Sequence, residues 1–161
     1  MRRFFKIAIP VFLLGFITGN AFWYLASPLW IDKVVSEVAP SVTSNTPVKI
    51  GSFVDADRTH KGKGTAQILE TANGLVVRFT EFEVTNGPDL EVWLVEAADP
   101  KSSADVKASK WVSLGQLKGN IGDQTYAIPN DVEIENYGSV VIWCEQFGVL
   151  FSPAALSEPT A

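Results

Sequence analysis

The sequence predicts an all-β protein, an antiparallel β-sandwich or small barrel of about seven to nine strands, preceded by one N-terminal transmembrane helix. Three observations carry this reading. The N-terminal region holds a long uncharged apolar stretch. Residues 48–156 run as short segments rich in β-branched and aromatic residues, separated by Gly, Pro, Asn and Asp. No amphipathic helix of convincing length interrupts them.

Residues 1–31 form the first element. Arg2, Arg3 and Lys6 precede an apolar stretch from Ile7 to Ile31, which only Thr18, Asn20 and Ser27 interrupt. About 20 such residues cross a bilayer as a helix. Basic residues before the stretch and Asp32 after it keep the N-terminus cytoplasmic and send the following domain across, to the periplasm or cell surface. Trp23, Tyr24 and Trp30 gather toward the outer end, where aromatic belts lie. A cleaved signal peptide is the competing reading, with Gly19-Asn20-Ala21 as a small-x-small site. The apolar run continues past that site through AFWYLASPLWI, which an anchor requires and a signal peptide does not. Both readings place the domain on the same side.

Residues 32–47 read as a linker, because Pro40, Pro47 and a Ser/Thr/Val-rich composition provide no core of their own. The domain is expected over 48–156, with a tail at 157–161. Its strands are expected at VKIGSFV, GTAQILET, LVVRFTEFEV, LEVWLVEA, KWVSLGQL, DQTYAIP and SVVIWCEQFGVLFSPA. Asn73-Gly74 signals a hairpin between the second and third of these. In LVVRFTEFEV the apolar parity changes after Phe79, which predicts a bulge or bend near Thr80 to Phe82. Asn86-Gly87-Pro88-Asp89 is a further turn, with Gly87 free to adopt positive φ and Pro88 fixing the exit.

Composition then excludes several function classes. The chain has 13 basic and 18 acidic residues, and all of its charges before Asp32 are basic, so the remainder carries a formal net charge of −8. Such a domain repels phosphate backbones, and nucleic acid is not an expected partner. With one cysteine and one histidine, the chain cannot form an internal disulfide, and it lacks the ligands of an ordinary zinc or blue-copper site. There is no CxxCH, which rules out covalent c-type haem.

Four segments are denser in unusual residues than a generic sandwich needs: FVDADRTHKGKG, TNGPDLEVWL, LGQLKGNIGDQTYAIP and VVIWCEQFGVLFSPAAL. Their order and wording resemble the DM-thirteen domain, also called the electron-transfer DM domain, over about residues 48–156. That resemblance implies an all-β extracytoplasmic domain doing redox work through its cysteine, as a bare thiol or as ligand to a non-covalent prosthetic group such as haem. The matching cysteine is Cys144.

The individual residues carry two readings each. Cys144 lies within an apolar strand, so it is either a buried small hydrophobe or a reactive thiol or ligand, and apolar burial would raise its pKa. Glu145 points to the opposite face of a regular strand and is not expected to partner it. His60, in DADRTHKGKG, is a solvated loop histidine, an axial haem or metal ligand, or a base activating Cys144. Asp89 either caps its own turn or orients His60 or binds a cation. Asp55 and Asp57 alternate like a weak calcium loop, but the glycine at position six and the glutamate at twelve are absent. Lys118, Gly119, Asn120 and Gly122 superficially suggest a phosphate cradle; without the following helix and the Gly-Lys-Ser/Thr ending they read as a hairpin loop. Tyr126 is a core residue or lines a cofactor pocket with Trp93 and Trp143.

Three functions follow. The first is a membrane-tethered redox or electron-transfer domain, with Cys144 as centre and Cys144, His60, Asp89, Tyr126 and Trp143 as candidate cofactor-binding residues. The second is a non-catalytic extracytoplasmic binding module in which Cys144 only packs. The third, a hydrolytic Cys-His enzyme, has no substrate signal. The expected partners are the membrane and either a redox partner or an extracellular ligand.

Overall fold

The computed structural model describes residues 2–26 and 31–159, in two compact units, Met1–Ile31 and Asp32–Ala161. In the first unit, α1 (Arg2–Ala26) includes the 22-residue stretch Arg3–Tyr24, long and apolar enough to cross a membrane. At 1.5 Å per residue it spans about 33 Å, matching a hydrocarbon core of about 30 Å. Two polar side chains in its apolar stretch bond back to the helix: Thr18 Oγ1 donates to the Leu14 carbonyl at 2.8 Å and Asn20 Nδ2 to the Phe16 carbonyl at 2.7 Å. That is the condition hydrocarbon imposes on them. Trp23 and Tyr24 stand in the last turns, and Trp30 lies outside the described residues.

Among its described residues the second unit is a β-sandwich with nine strands: β1 (Val34–Ser36), β2 (Lys49–Ser52), β3 (Gly62–Thr71), β4 (Gly74–Val84), β5 (Leu90–Val95), β6 (Trp111–Gln116), β7 (Ile121–Ala127), β8 (Ser139–Cys144) and β9 (Val149–Ala155). One sheet has the order β1-β7-β4-β3-β2 and the other β6-β5-β8-β9. All pairs are antiparallel except β1 with β7. Residues of alternating parity from both sheets fill the space between them, including Ile68, Val77 and Phe79 from the first and Val92, Leu94 and Ile142 from the second. Isolated bridges Ile50–Ser157 and Phe53–Ala154 tie the β2 edge to the β9 edge.

The expected hairpin at Asn73-Gly74 forms, with Gly74 at φ 112° and paired with Thr71. The expected bend in β4 also forms. Glu81 takes φ 52° and the β4–β7 register shifts between Phe79 and Glu83, so Phe82 and Val84 return to the core after the parity change.

Other expectations are corrected. SVVIWCEQFGVLFSPA is two strands, β8 and β9, because Gly148 at φ 61° reverses the chain after Cys144. Residues 117–120 do not form a hairpin loop: β6 and β7 belong to different sheets, and the segment crosses between them. Gly87 is not at positive φ; Asp89 takes that role at φ 52°. Gly87 is small for another reason, since a Cβ there would stand 2.6 Å from the Phe151 ring.

The segment read as a linker begins inside the sandwich. β1 pairs with β7, and Glu37 follows it with a backbone N–H to Asp123 O at 2.9 Å. Side chains on Gly119 or Gly122 would collide with backbone of Lys33 and Val35, so these glycines make room for β1. Farther on, Val42 bridges Thr71. Residues 37–42 therefore pass from the β7 side to the end of β3. Beneath them Arg78 is buried, donating to Glu37 O at 2.8 Å and to Asp123 Oδ2 at 2.9 Å.

Candidate functional site

Cys144 is the last residue of β8, opposite Leu90 of β5 and Val149 of β9. Strand parity turns it into the core, where it is 0% exposed. Its thiol donates to the Pro88 carbonyl at 3.0 Å, so the 86–89 turn covers it. Burial pushes the thiol pKa up and the Asp89 charge adds to this, against the Phe147 and Gln146 backbone N–H groups, which pull it down. At neutral pH the sulfur is therefore a protonated thiol and a weak nucleophile. Glu145 begins the next turn and donates its backbone N–H to Asp89 O at 3.1 Å. Its carboxyl is raised mainly by sharing a hydrogen bond with Glu91.

His60 sits in a loop that Asp57 organises. Asp57 Oδ1 accepts the backbone N–H groups of Thr59 and His60, each at 2.7 Å, and its Oδ2 meets His60 Nδ1 at 2.7 Å. These bonds, chiefly the imidazole, hold the Asp57 carboxyl down to about 2. The group that orients His60 is thus Asp57, three residues before it, and not Asp89. Asp89 Oδ1 instead accepts from Gln116 Nε2 at 3.4 Å. Asp55 likewise serves the loop, pairing with Lys61 at 2.8 Å and accepting Gly62 N–H at 3.0 Å.

The two rare residues share one end of the sandwich without bonding each other. The His60 ring packs on Phe151 with centroids 4.3 Å apart, and Phe151 in turn lies against Gly87. Cys144 reaches the same turn through Pro88. Each has its own hydrogen-bond partner, and no hydrogen bond joins His60 to Cys144. A Cys-His pair poised for proton transfer is not what this geometry provides.

Tyr126 and the two tryptophans separate. Tyr126 points from β7 into the inter-sheet core, where its hydroxyl donates to Gln124 Oε1 at 2.7 Å and accepts Lys118 N–H at 2.9 Å. Burial raises its pKa well above the ordinary value. Gln124, fully buried, also donates to Gly119 O at 2.9 Å and accepts Gly119 N–H at 3.2 Å. This polar knot holds the 117–120 crossover. Trp93 and Trp143 belong to a separate cluster with Val95, Val106, Val141 and Leu150, so the shared pocket with Tyr126 does not exist. The reason is the period of two: Trp143 faces away from the core because its neighbour Cys144 faces into it.

Sequence reasoning missed Trp111 and Glu91. Trp111 stacks on Trp93 at 3.9 Å, and Trp93 on Trp143 at 5.1 Å. Glu91 Oε2 accepts both Trp93 Nε1–H and the Ser113 hydroxyl, each at 2.7 Å. A spacing of two residues from Glu91 to Trp93 on one strand face was the available signal.

Haem does not fit between Cys144 and His60. Iron needs an open sulfur lone pair with room beside it, whereas Cys144 has no accessible surface and lies beneath the Pro88 carbonyl. Among the described residues no group of three or more His, Cys, Asp or Glu could hold a metal ion.

A family model described as Electron transfer DM13 matches residues 52–156. No curated protein and no solved structure matches the chain.

Proposed function

This chain belongs to the Electron transfer DM13 family, and on that premise we propose a membrane-tethered, extracytoplasmic redox domain with Cys144 as its thiol centre. The tether and its direction are supported by an apolar helix that runs unbroken through Gly19-Asn20-Ala21, with basic residues at its start. The observation that carries the thiol assignment is the position of the chain's one sulfhydryl, directed at the Pro88 carbonyl under two reversing turns, 86–89 and 145–148. A lone cysteine cannot cycle through an internal disulfide. Its exchange runs instead with a partner: the Cys144 thiolate attacks a partner disulfide, forms a mixed disulfide and releases the partner's other sulfur as thiolate. Displacing the 86–89 turn exposes the sulfur and removes the desolvation that raises its pKa.

The test is trapping. A partner disulfide with one sulfur labelled is expected to form a mixed disulfide with the wild-type chain and none with Cys144→Ser. Absence of any adduct under conditions that keep the domain folded would refute the assignment.

The complete burial of Cys144 favours a second reading, a binding module in which the cysteine packs. That reading requires Cys144→Ser to retain full function, with a change in stability alone.

A further inference from the structure

The tryptophan stack on the outer side of the second sheet has no part in thiol exchange, yet its electrostatics are uneven in a way that suits one-electron chemistry. Trp111 and Trp93 are nearly parallel, 10° apart with centroids at 3.9 Å, while Trp143 is more distant and tilted by 28°. Trp111 is 47% exposed on edge strand β6, whereas Trp93 is 5% exposed and Trp143 3%. Removing one electron from an indole leaves a cation whose N–H is strongly acidic. A stacked ring, a nearby negative charge and a base on that N–H all favour the step; a nearby cation opposes it. Trp93 has the Trp111 ring against its face and the Glu91 carboxylate on its N–H at 2.7 Å. Trp143 has Lys107 Nζ 5.8 Å from its ring centroid. The oxidised state is therefore favoured on Trp93 over Trp143, which stands opposite Glu91 on the neighbouring strand but has the Lys107 cation over its ring. Burial pushes the Glu91 carboxyl up, and the bonds from Trp93, Ser113 and Glu145 together outweigh it, so Glu91 is ionised and able to accept a proton.

We infer that Trp111 and Trp93 form a one-electron port, with Trp111 as its solvent-facing contact, Trp93 as the site of the oxidised state and Glu91 as its proton acceptor. The inference rests on the redox reading and goes beyond it, since its path does not use Cys144. An external one-electron oxidant, a high-potential metal centre in a partner, takes one electron from Trp111. An electron from Trp93 refills Trp111, and the Trp93 Nε1 proton passes to Glu91 Oε2. This leaves a neutral indolyl radical beside a neutral carboxylic acid. A one-electron reductant then returns the electron, and the proton goes back from Glu91 to Nε1.

Flash photolysis tests this on the full chain in detergent, with Trp23 and Trp30 replaced by Phe so that signal arises from the domain. A ruthenium tris-bipyridine complex with a sacrificial electron acceptor serves as photo-oxidant, and the radical is followed by transient absorption and electron paramagnetic resonance. The expected signal is a long-lived neutral indolyl radical. Trp111→Phe should slow its formation, Trp93→Phe should abolish the long-lived species, and Glu91→Gln, which can accept the hydrogen bond but not the proton, should leave a short-lived radical cation. Cys144→Ser should change none of these. Formation at the original rate in Trp111→Phe, or a neutral long-lived radical in Glu91→Gln, overturns the inference. Circular dichroism checks folding, and if Trp93→Phe fails to fold, the Trp111 and Glu91 variants decide. Loss of this radical path with mixed-disulfide trapping intact would sink the port alone. Normal radical behaviour without trapping would sink the thiol reading alone.

Discussion

Substituting Gly87→Ala should uncover Cys144, and the structure sets the scale. The added Cβ would stand 2.6 Å from Phe151 Cε1 and Cζ and 3.1 Å from Leu90 Cδ2. Phe151 is buried, and its ring is flanked by His60, so it cannot swing aside freely. Overpacking of this kind costs about 1–3 kcal/mol. The turn that must yield is the one whose Pro88 carbonyl holds the thiol at 3.0 Å. If the strain acts on this local closure, the population with Cys144 exposed rises by roughly 5- to 150-fold, at about 1.4 kcal/mol per factor of ten. The assay is the rate of alkylation by a small maleimide at fixed pH, under conditions where closing is faster than labelling, with mass spectrometry to confirm the site. The wild-type chain should label far more slowly than its urea-unfolded form, and Gly87→Ala should be faster by the stated factor. Equal rates for the variant and wild type would refute the reasoning that this turn guards the sulfur. Labelling of the native wild type at the unfolded rate would show that the burial does not protect it.

Further outcomes follow from the same geometry. Burial raises the Cys144 thiol above its ordinary value of 9.0, so the native state keeps a proton that the unfolded state releases. Stability is then fully present below the unfolded thiol pKa and falls as pH rises through the native one; urea unfolding should show this alkaline loss, and Cys144→Ala should remove the thiol's share of it. Gln124→Ala strands the Tyr126 hydroxyl and the Gly119 backbone groups, and should cost about 2–4 kcal/mol by urea titration; a value under about 1 kcal/mol would mean that water replaces the amide. Arg78→Ala removes the pin under residues 37–42, at about 3 kcal/mol, the lower end for a buried ion pair because Asp123 is 40% exposed. Hydrogen exchange should show faster opening of residues 33–43, and unchanged protection there would contradict the pin. Gly122→Ala, at φ 100° and against the Val35 carbonyl, should displace β1 and produce the same exchange signature; retention of β1 protection would refute the close-packing account.

Local chemistry made several features legible in the sequence. The apolar length of Arg3–Tyr24, the Asn73-Gly74 hairpin and the parity change around Thr80 all depend on residues near one another along the chain. The resemblance in residues 48–156 likewise pointed to the family that the 52–156 match shows. Most of what sequence reading missed depends on contacts between distant residues, and one miss was a local turn. The break inside SVVIWCEQFGVLFSPA was obscured by apolar residues on both sides of Gly148. Residues 32–37 look like a tether because β1 has three residues and gains its hydrogen bonds from β7, far along the chain.

By itself the sequence determined which residues could matter, because one cysteine, one histidine and five tryptophans leave few choices, and it determined the strand periodicity. Tertiary structure decided how they are grouped. His60 was assigned to Asp57 and the Phe151 ring, Cys144 to a closed position beneath Pro88, and Tyr126 to the core away from Trp93 and Trp143. The physical reason is that a strand sends successive side chains to opposite faces. Cys144 and Trp143 are bonded neighbours but lie on opposite faces, while Trp111 reaches Trp93 across 18 residues of chain because β5 and β6 pair.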